Sequence, residues 1–427
     1  MNTDERLTKQ KRLWLLWLEP ALVLLLAPVF LFPSPRRSLL FGFLILLFVL
    51  HFIARGRLLE PSPLNGPLAL LLLMVLVSLY ATFDISLSLP KVAGVLLGAA
   101  ILIAILNSVS SPRVLGLMFA GFILGGVVLS GIGLLGTQWV GKVPILGGIT
   151  EHLPPRIRGL QGAEEGFQPN GVAGGLILFV PAQIALLYFA IRSGMKKRRT
   201  AAILVSLMIT GLVVLLTQSR GGWLGLAAGL LILISWMFRW GRWGAACLLV
   251  VVAAVVIRIG PQKAGDRVMS SIGSTSSVAG SIEGRLEVWN RAMYGISDFP
   301  FTGMGMNTFR KVVHVLYPLF LTSPDTDIAH CHNQLLQTAL DLGIPGLVAY
   351  VALLAAAITM GIRVWRHSEE GWIRASAQGL VCGLVAQQVF GITDAIALGA
   401  KVGIFFWMAL GLLAAMNRIT KRNHEDL

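Results

Sequence analysis

Apolar runs long enough to cross a bilayer recur along the whole chain, separated by short polar breaks. A membrane-spanning helix needs about 20 apolar residues. Twelve runs qualify, at roughly 13–33, 38–54, 67–83, 89–107, 114–135, 171–192, 201–218, 222–239, 243–260, 339–363, 375–393 and 396–416. The widest gap, 261–338, carries a different pattern. Arg285, Trp289, Ala292 and Ile296 recur at helical spacing there and predict an amphipathic helix at the membrane surface, which Pro300 ends. Gly303 and Gly305 predict a sharp turn, and a second short helix is expected over about 306–316 with Arg310 and Lys311 on it. The Ser- and Gly-rich stretch Ser270 to Ser281 reads as a loop, and Gly343-Ile344-Pro345-Gly346 predicts a break near the start of the tenth helix. A second gap, about 136–170, holds Pro154-Pro155 and Pro169-Asn170-Gly171, which exclude a long helix through it. Asn170 is expected to cap the sixth helix.

The predicted architecture is therefore an all-α integral membrane protein of about 12 transmembrane helices. Residues 1–260 hold helices one to nine with the outside loop 136–170. A large helical outside loop, 261–338, separates helices nine and ten, and residues 339–427 hold helices ten to twelve and a tail. The first run follows Arg6, Lys9, Lys11 and Arg12 but is long and lacks a small-residue cleavage site, so it reads as a retained helix rather than a signal peptide.

Composition agrees, with 56% hydrophobic and only 13% charged residues. The net charge of +15 could suggest nucleic acid, but its distribution follows the membrane. With the N-terminus in the cytoplasm and sides alternating, 20 Lys/Arg and 7 Asp/Glu fall inside, against 15 and 12 outside. This positive-inside bias sets orientation, puts both termini in the cytoplasm, and leaves the basic runs as topological anchors with no nucleic-acid partner. Lys196-Lys197-Arg198-Arg199 is the strongest inside cluster. Cys247, Cys331 and Cys382 give no disulfide framework. Glu19 falls inside the first helix near its cytoplasmic end, and a structural role is expected for it.

On this topology Arg220, Arg285, His332 and Arg158 share the outside face. Arg220 lies in the tight turn Thr217–Gly222, flanked by Ser219, Gly221 and Gly222, which let a ligand or another backbone come close. Arginines at a lipid surface suit a phosphate or pyrophosphate through paired donors. A neutral histidine can take a proton from an attacking alcohol. The set fits transfer from a lipid phosphate donor to a hydroxyl. Three other chemistries are weaker. His330 and His332 alternate about Cys331 with Asp325 and Asp327 close in sequence, but no second pair at metal-ligand spacing accompanies them. Glu283 and Glu287 could serve a glycosidase, which would leave the arginines without a purpose. A Gly-rich nucleotide loop of the usual form does not appear. Gln387, Gln388 and Asp394, near the outer face, read as buried polar packing between the last helices.

These residues also resemble a known family. Gly284-Arg285-x-x-x-Trp289, Pro300-x-x-Gly303-x-Gly305, and His332-Asn333 followed by Leu335 and Gly343 look like the signature region of the O-antigen ligase and polymerase superfamily. Ser219-Arg220-Gly221 looks like its upstream arginine motif, and Arg158, Gly162 and Pro169-Asn170 like its earlier loop motif. The resemblance implies an inverting, metal-independent glycosyltransferase of the GT-C type in the cell inner membrane. Its active site would face the periplasm, and it would need no cofactor. The donor would be a glycan on undecaprenyl pyrophosphate. The acceptor would be lipid A core in the ligases or another glycan in the polymerases. Arg220 and Arg285 would hold the pyrophosphate and His332 would be the base, with Arg158, Asn170, Trp289, Arg291 and Asn333 binding substrate. Cys331, the extra His330, and Glu164 and Glu165 depart from the pattern and leave the partner of His332 open. The organisation favours a ligase. A polymerase and, from another class, a transporter are the alternatives, although a transporter would hold its ionisable residues near the midplane.

Overall fold

Four helix starts among the described residues are marked by short polar side chains that accept from otherwise orphaned backbone amides. Asp84 accepts from Ser86 and Leu87, Ser111 from Val114, Ser219 from Gly222, and Asn333 from Leu335 and Leu336. The computed structural model describes residues 18–34, 36, 38–56, 58–160, 163–238, 241–244, 257–258 and 282–425. Their helices are α1 (Leu18–Leu31), α2 (Ile45–Arg55), α3 (Asn65–Ala81), α4 (Ile85–Ser108) and α5 (Pro112–Gly136). The short α6 (Pro144–Thr150) follows, then α7 (Pro169–Leu176), α8 (Phe179–Arg192), α9 (Lys197–Leu216) and α10 (Arg220–Met237). The remainder are α11 (Ile282–Asp298), α12 (Phe309–Leu316), α13 (Gln334–His367), α14 (Gly371–Thr393) and α15 (Ile404–Glu425).

Eight helical stretches among the described residues are long and apolar enough to cross a membrane, and they coincide with predicted runs four to eight and ten to twelve. Runs one to three appear as the shorter apolar helices Leu18–Leu31, Leu39–Ile53 and Asn65–Ala81. Most of the ninth run, all of Ser270 to Ser281, Gly162 and Cys247 lie outside the described residues. The sixth run is broken, since α7 and α8 are separated at Ile177 and Leu178. Pro181, which has no N–H to give the carbonyl of Ile177, accounts for the break.

α4, α7–α8, α14 and α15 form the interior, 72% of an apolar 18-residue stretch of each being buried, against 28% in α5, α9 and α10, which leave apolar faces outward. α14 packs between α10 and α8 at backbone distance. A Cβ on Gly229 would sit 2.7 Å from the Cys382 carbonyl oxygen, and one on Gly383 would sit 2.3 Å from that of Leu178. Small residues at helix contacts permit such approach.

α11 and α12 close over one end of this bundle with a small core of their own, built from Val288, Ala292, Met304, Phe309, Val313, Tyr317 and Leu340 of α13. The predicted break in α13 is real: Gly343 is left-handed at φ 71° inside the helix. Gly303, also left-handed at φ 66°, docks there, with Met304 N donating to Leu340 O and Ile344 N to Pro300 O, both at 2.7 Å. The Gly303 turn thus reverses the chain and also brings α11 backbone-close to α13.

At the opposite end Glu19 is fully buried, accepting from Asn107 Nδ2 at 2.8 Å and meeting His51 Nδ1 at 3.1 Å. Glu60 joins Arg55 at 3.0 Å and Arg418 at 3.2 Å. This network ties α1, α2, α4 and α15 together, the structural role expected of Glu19.

Candidate functional site

The C-terminal end of α14 gathers side chains from three distant segments and the backbone of a fourth. Ile392 O accepts from Asn333 Nδ2 at 3.2 Å. Thr393 O accepts from Arg285 Nη1 at 2.6 Å. Asp394, the cap residue, holds His332 Nδ1 at 3.2 Å and His330 Nε2 at 3.5 Å on Oδ1, and Asn170 Nδ2 at 2.8 Å on Oδ2. The first turn of α10 leans on the same point, since a Cβ on Gly221 would stand 2.6 Å from Thr393 Oγ1. Arg220 opens that turn. The negative end of a helix dipole favours cations gathering at such a C-terminus.

His332 is presented by a strained backbone. Its φ is +54°, a left-handed conformation uncommon outside glycine. Two contacts fix the turn. His332 N donates to His330 Nδ1 at 3.2 Å, and Cys331 N donates to Gln337 Oε1 at 2.9 Å. Because His330 Nδ1 accepts, its proton sits on Nε2, facing Asp394. With His332 Nδ1 donating to the carboxylate, its Nε2 is the basic nitrogen left for a substrate proton. Burial pushes the Asp394 carboxyl upward, but the His332 hydrogen bond, the two imidazoles beside it and the Arg285 cation outweigh it and hold the group well below the ordinary carboxylate range. Asp394 is thus a carboxylate wherever the protein is folded near neutral pH. Burial, with His332 close by, lowers His330 to about 3, so His330 is neutral.

The His330 value predicts an acid-side effect on stability. Between the ordinary histidine value near 6.5 and about 3, the unfolded chain takes up a proton that folded His330 does not. The histidine therefore stabilises the fold least at the acid end, and stability falls as pH drops through that window. His330→Asn should flatten this slope relative to the parent, read as the apparent melting temperature from pH 7 to pH 4.

Arg285 is 4% exposed, and its Nε has no hydrogen-bond partner among the described residues. Burial lowers its pKa and the Asp394 carboxylate opposes this. One turn on, Trp289 is half-buried, with an indole N–H likewise without a partner among the described residues.

Lys142 is a further cation that the sequence reading missed. Burial depresses it, Arg220 and Arg285 depress it further, and Asp394 raises it, so the four charges feel one another. Gln218, left-handed at φ +50°, fixes this segment by accepting from Lys142 N at 2.6 Å and Val143 N at 2.7 Å. The tight turn therefore carries Arg220 into α10 and clamps the loop bearing Lys142. Nothing local marks Lys142 in the sequence, because its neighbours are brought in from α10 and α11.

Other expectations are corrected. Asn170 does not cap its helix. It stands inside α7, where Gln168 is the cap residue without a side-chain bond, and its amide is directed to Asp394. Asp394, read as inter-helix packing, is the partner of His332. The packing reading holds for Gln387, which donates to Gly174 O, and for Gln388, which accepts from Tyr350. Arg158 is exposed and bonded to Pro155 O in its own loop, apart from the cluster. Arg291 braces the 318–320 loop through Pro318 O at 3.0 Å and the Phe320 ring at 5.4 Å. Asn333 has its oxygen committed to the α13 cap and its nitrogen to Ile392. Glu287 accepts from Phe320 N and Leu321 N, which removes it from a carboxylate pair. Asp327 pairs with Arg310. Among the described residues the three groups close enough to share a cation are instead His330, His332 and Asp394, their ligand atoms within 4.8 Å of one another. The neighbouring Arg285 and Lys142 oppose a dication there. Cys331 is fully buried beside them, and burial pushes its thiol far up, so it is inert.

A family model described as O-antigen ligase matches residues 203–351, from α9 into α13. That stretch contains Arg220, Arg285 and His332 and stops short of Asp394. No curated protein matches the chain.

Proposed function

We propose, for a chain whose residues 203–351 match an O-antigen ligase family model, that the protein is an O-antigen ligase. In this reading it is a multi-pass protein of the cell inner membrane with both termini in the cytoplasm. It transfers a glycan from undecaprenyl pyrophosphate to a lipid A core hydroxyl at the periplasmic face. The observation that carries the reading is the convergence of Arg285 and His332 on the consecutive residues Thr393 and Asp394. A phosphate-binding cation and a carboxylate-held imidazole are the two parts that a lipid-pyrophosphate glycosyl transfer needs.

The acceptor oxygen attacks the anomeric carbon from the face opposite the pyrophosphate. The bond from that carbon to the phosphate oxygen breaks, and the hydroxyl proton passes to His332 Nε2. Asp394 stabilises the resulting imidazolium, and Asn170 holds Asp394. The departing lipid pyrophosphate gains a negative charge, which Arg220, Arg285 and Lys142 neutralise. One displacement inverts the sugar carbon. Trp289, beside Arg285, offers an N–H and an aromatic face to the donor. No cofactor or metal enters any step.

The test is product identity. Purified protein with a defined lipid-linked glycan should join it to lipid A core, and EDTA should leave the rate unchanged. Chain growth in the absence of core would replace the ligase with a polymerase. Activity lost to EDTA and restored by a divalent ion would return His330, His332 and Asp394 to a metal.

A further inference from the structure

The helices that meet at Thr393 diverge at their far ends and leave a cavity of about 390 Å³ there. It is lined by the last turns of α8, α10 and α13 and the first turn of α14, notably by Tyr188, Phe189, Arg192, Trp236, Trp365 and Arg374. The walls are aromatic: Trp236 and Trp365 meet edge to face at 5.0 Å. The rim is cationic: Arg192 donates from Nε to Tyr188 and Arg374 from Nε to the Trp365 carbonyl, and both are exposed. Neither guanidinium has an ion pair among the described residues. Arg363, Arg366 and the Lys196–Arg199 run stand at the same end, against the exposed Glu369 and Glu370 of the α13–α14 turn.

We propose that this groove binds an anionic phospholipid of the cytoplasmic leaflet, with its phosphodiester between Arg192 and Arg374 and an acyl chain along Phe189, Trp236 and Trp365. Four features select this occupant. The volume falls within the range of small-molecule sites. Tryptophan and tyrosine sit at headgroup level in a bilayer. The guanidinium fork suits a phosphodiester and keeps its Nη groups available here. In the orientation proposed above, on which this point rests, the cationic end of the bundle faces the leaflet that carries negative lipid. A zwitterionic lipid would supply the chain but leave the two arginines without net charge complementarity.

The full chain in detergent micelles would be exposed to phosphatidylglycerol or phosphatidylcholine and the retained lipid counted by native mass spectrometry. Phosphatidylglycerol should be retained roughly tenfold or more over phosphatidylcholine. Arg192→Gln with Arg374→Gln should erase that preference, and the double lysine variant should keep most of it. Equal retention of the two lipids, or a glutamine variant that behaves like the parent, would overturn the proposal. So would inorganic phosphate alone displacing the lipid at millimolar concentration, which would mark a soluble-anion site. A photo-crosslinker replacing Phe189 should give a lipid adduct in phosphatidylglycerol bilayers. An adduct within the chain would show that the protein fills its own groove and would also refute lipid binding.

Discussion

His332→Ala is expected to lower transfer by about 10²–10⁴-fold, the usual worth of a positioned general base, while the lipid-linked donor binds nearly as before. The separation follows from geometry. His332 Nδ1 is held by Asp394, and in the proposed transfer its other nitrogen takes the acceptor's proton, so it would contribute little to holding pyrophosphate. The residual rate should come from the cations and from substrate positioning. Donor affinity and single-turnover rate on the same preparation read the two effects apart. A turnover matching the parent would remove the general-base role, and a matching loss of donor affinity would move His332 to the donor site.

Arg285→Ala should weaken donor binding and turnover together, with kcat/KM down by roughly 10²–10³-fold, the cost of losing one preorganised donor to a developing charge. Arg285 is buried, anchored at 2.6 Å to Thr393 O, and feels the charge of the Asp394 carboxylate; in the proposed transfer a guanidinium so held would need no reorganisation as the leaving group gains charge. Arg285→Lys should recover only part of the activity, because an ammonium reproduces the charge but not the paired donors. Restoration to the parent level by lysine would show that charge alone acts there. The stability of the variants should be checked in parallel, since Thr393 O loses its partner in each.

Much of this arrangement is legible in the sequence. Membrane spans announce themselves by length and hydropathy, which is why eight predicted runs recur as long helices. The break at Gly343 and the turn at Gly303 and Gly305 follow from glycine and proline chemistry, and Arg220, Arg285 and His332 stand out because the predicted topology puts them on one face of the membrane. What escapes is whatever depends on distant partners. Asp394 lies 62 residues from His332 in sequence, and an acid at the end of a span reads equally well as packing. The one available signal was its position, on the same predicted outer face as His332. Asn170 sits where a cap belongs, and only the position of α14 turns its amide elsewhere. Arg158 and Arg291 resemble Arg285 in type and side of the membrane. The local partners Pro155 and Pro318, which draw them away, cannot be read from spacing.

The proposed reaction is glycosyl transfer with lipid pyrophosphate as the leaving group. Its most direct test counts undecaprenyl pyrophosphate released against glycosidic bonds formed, using one defined lipid-linked donor with lipid A core in the presence of EDTA. Equal numbers, with inversion at the sugar carbon and no release without acceptor, are the predicted result. Release of lipid monophosphate, retention of configuration, or bond formation without lipid pyrophosphate would contradict it.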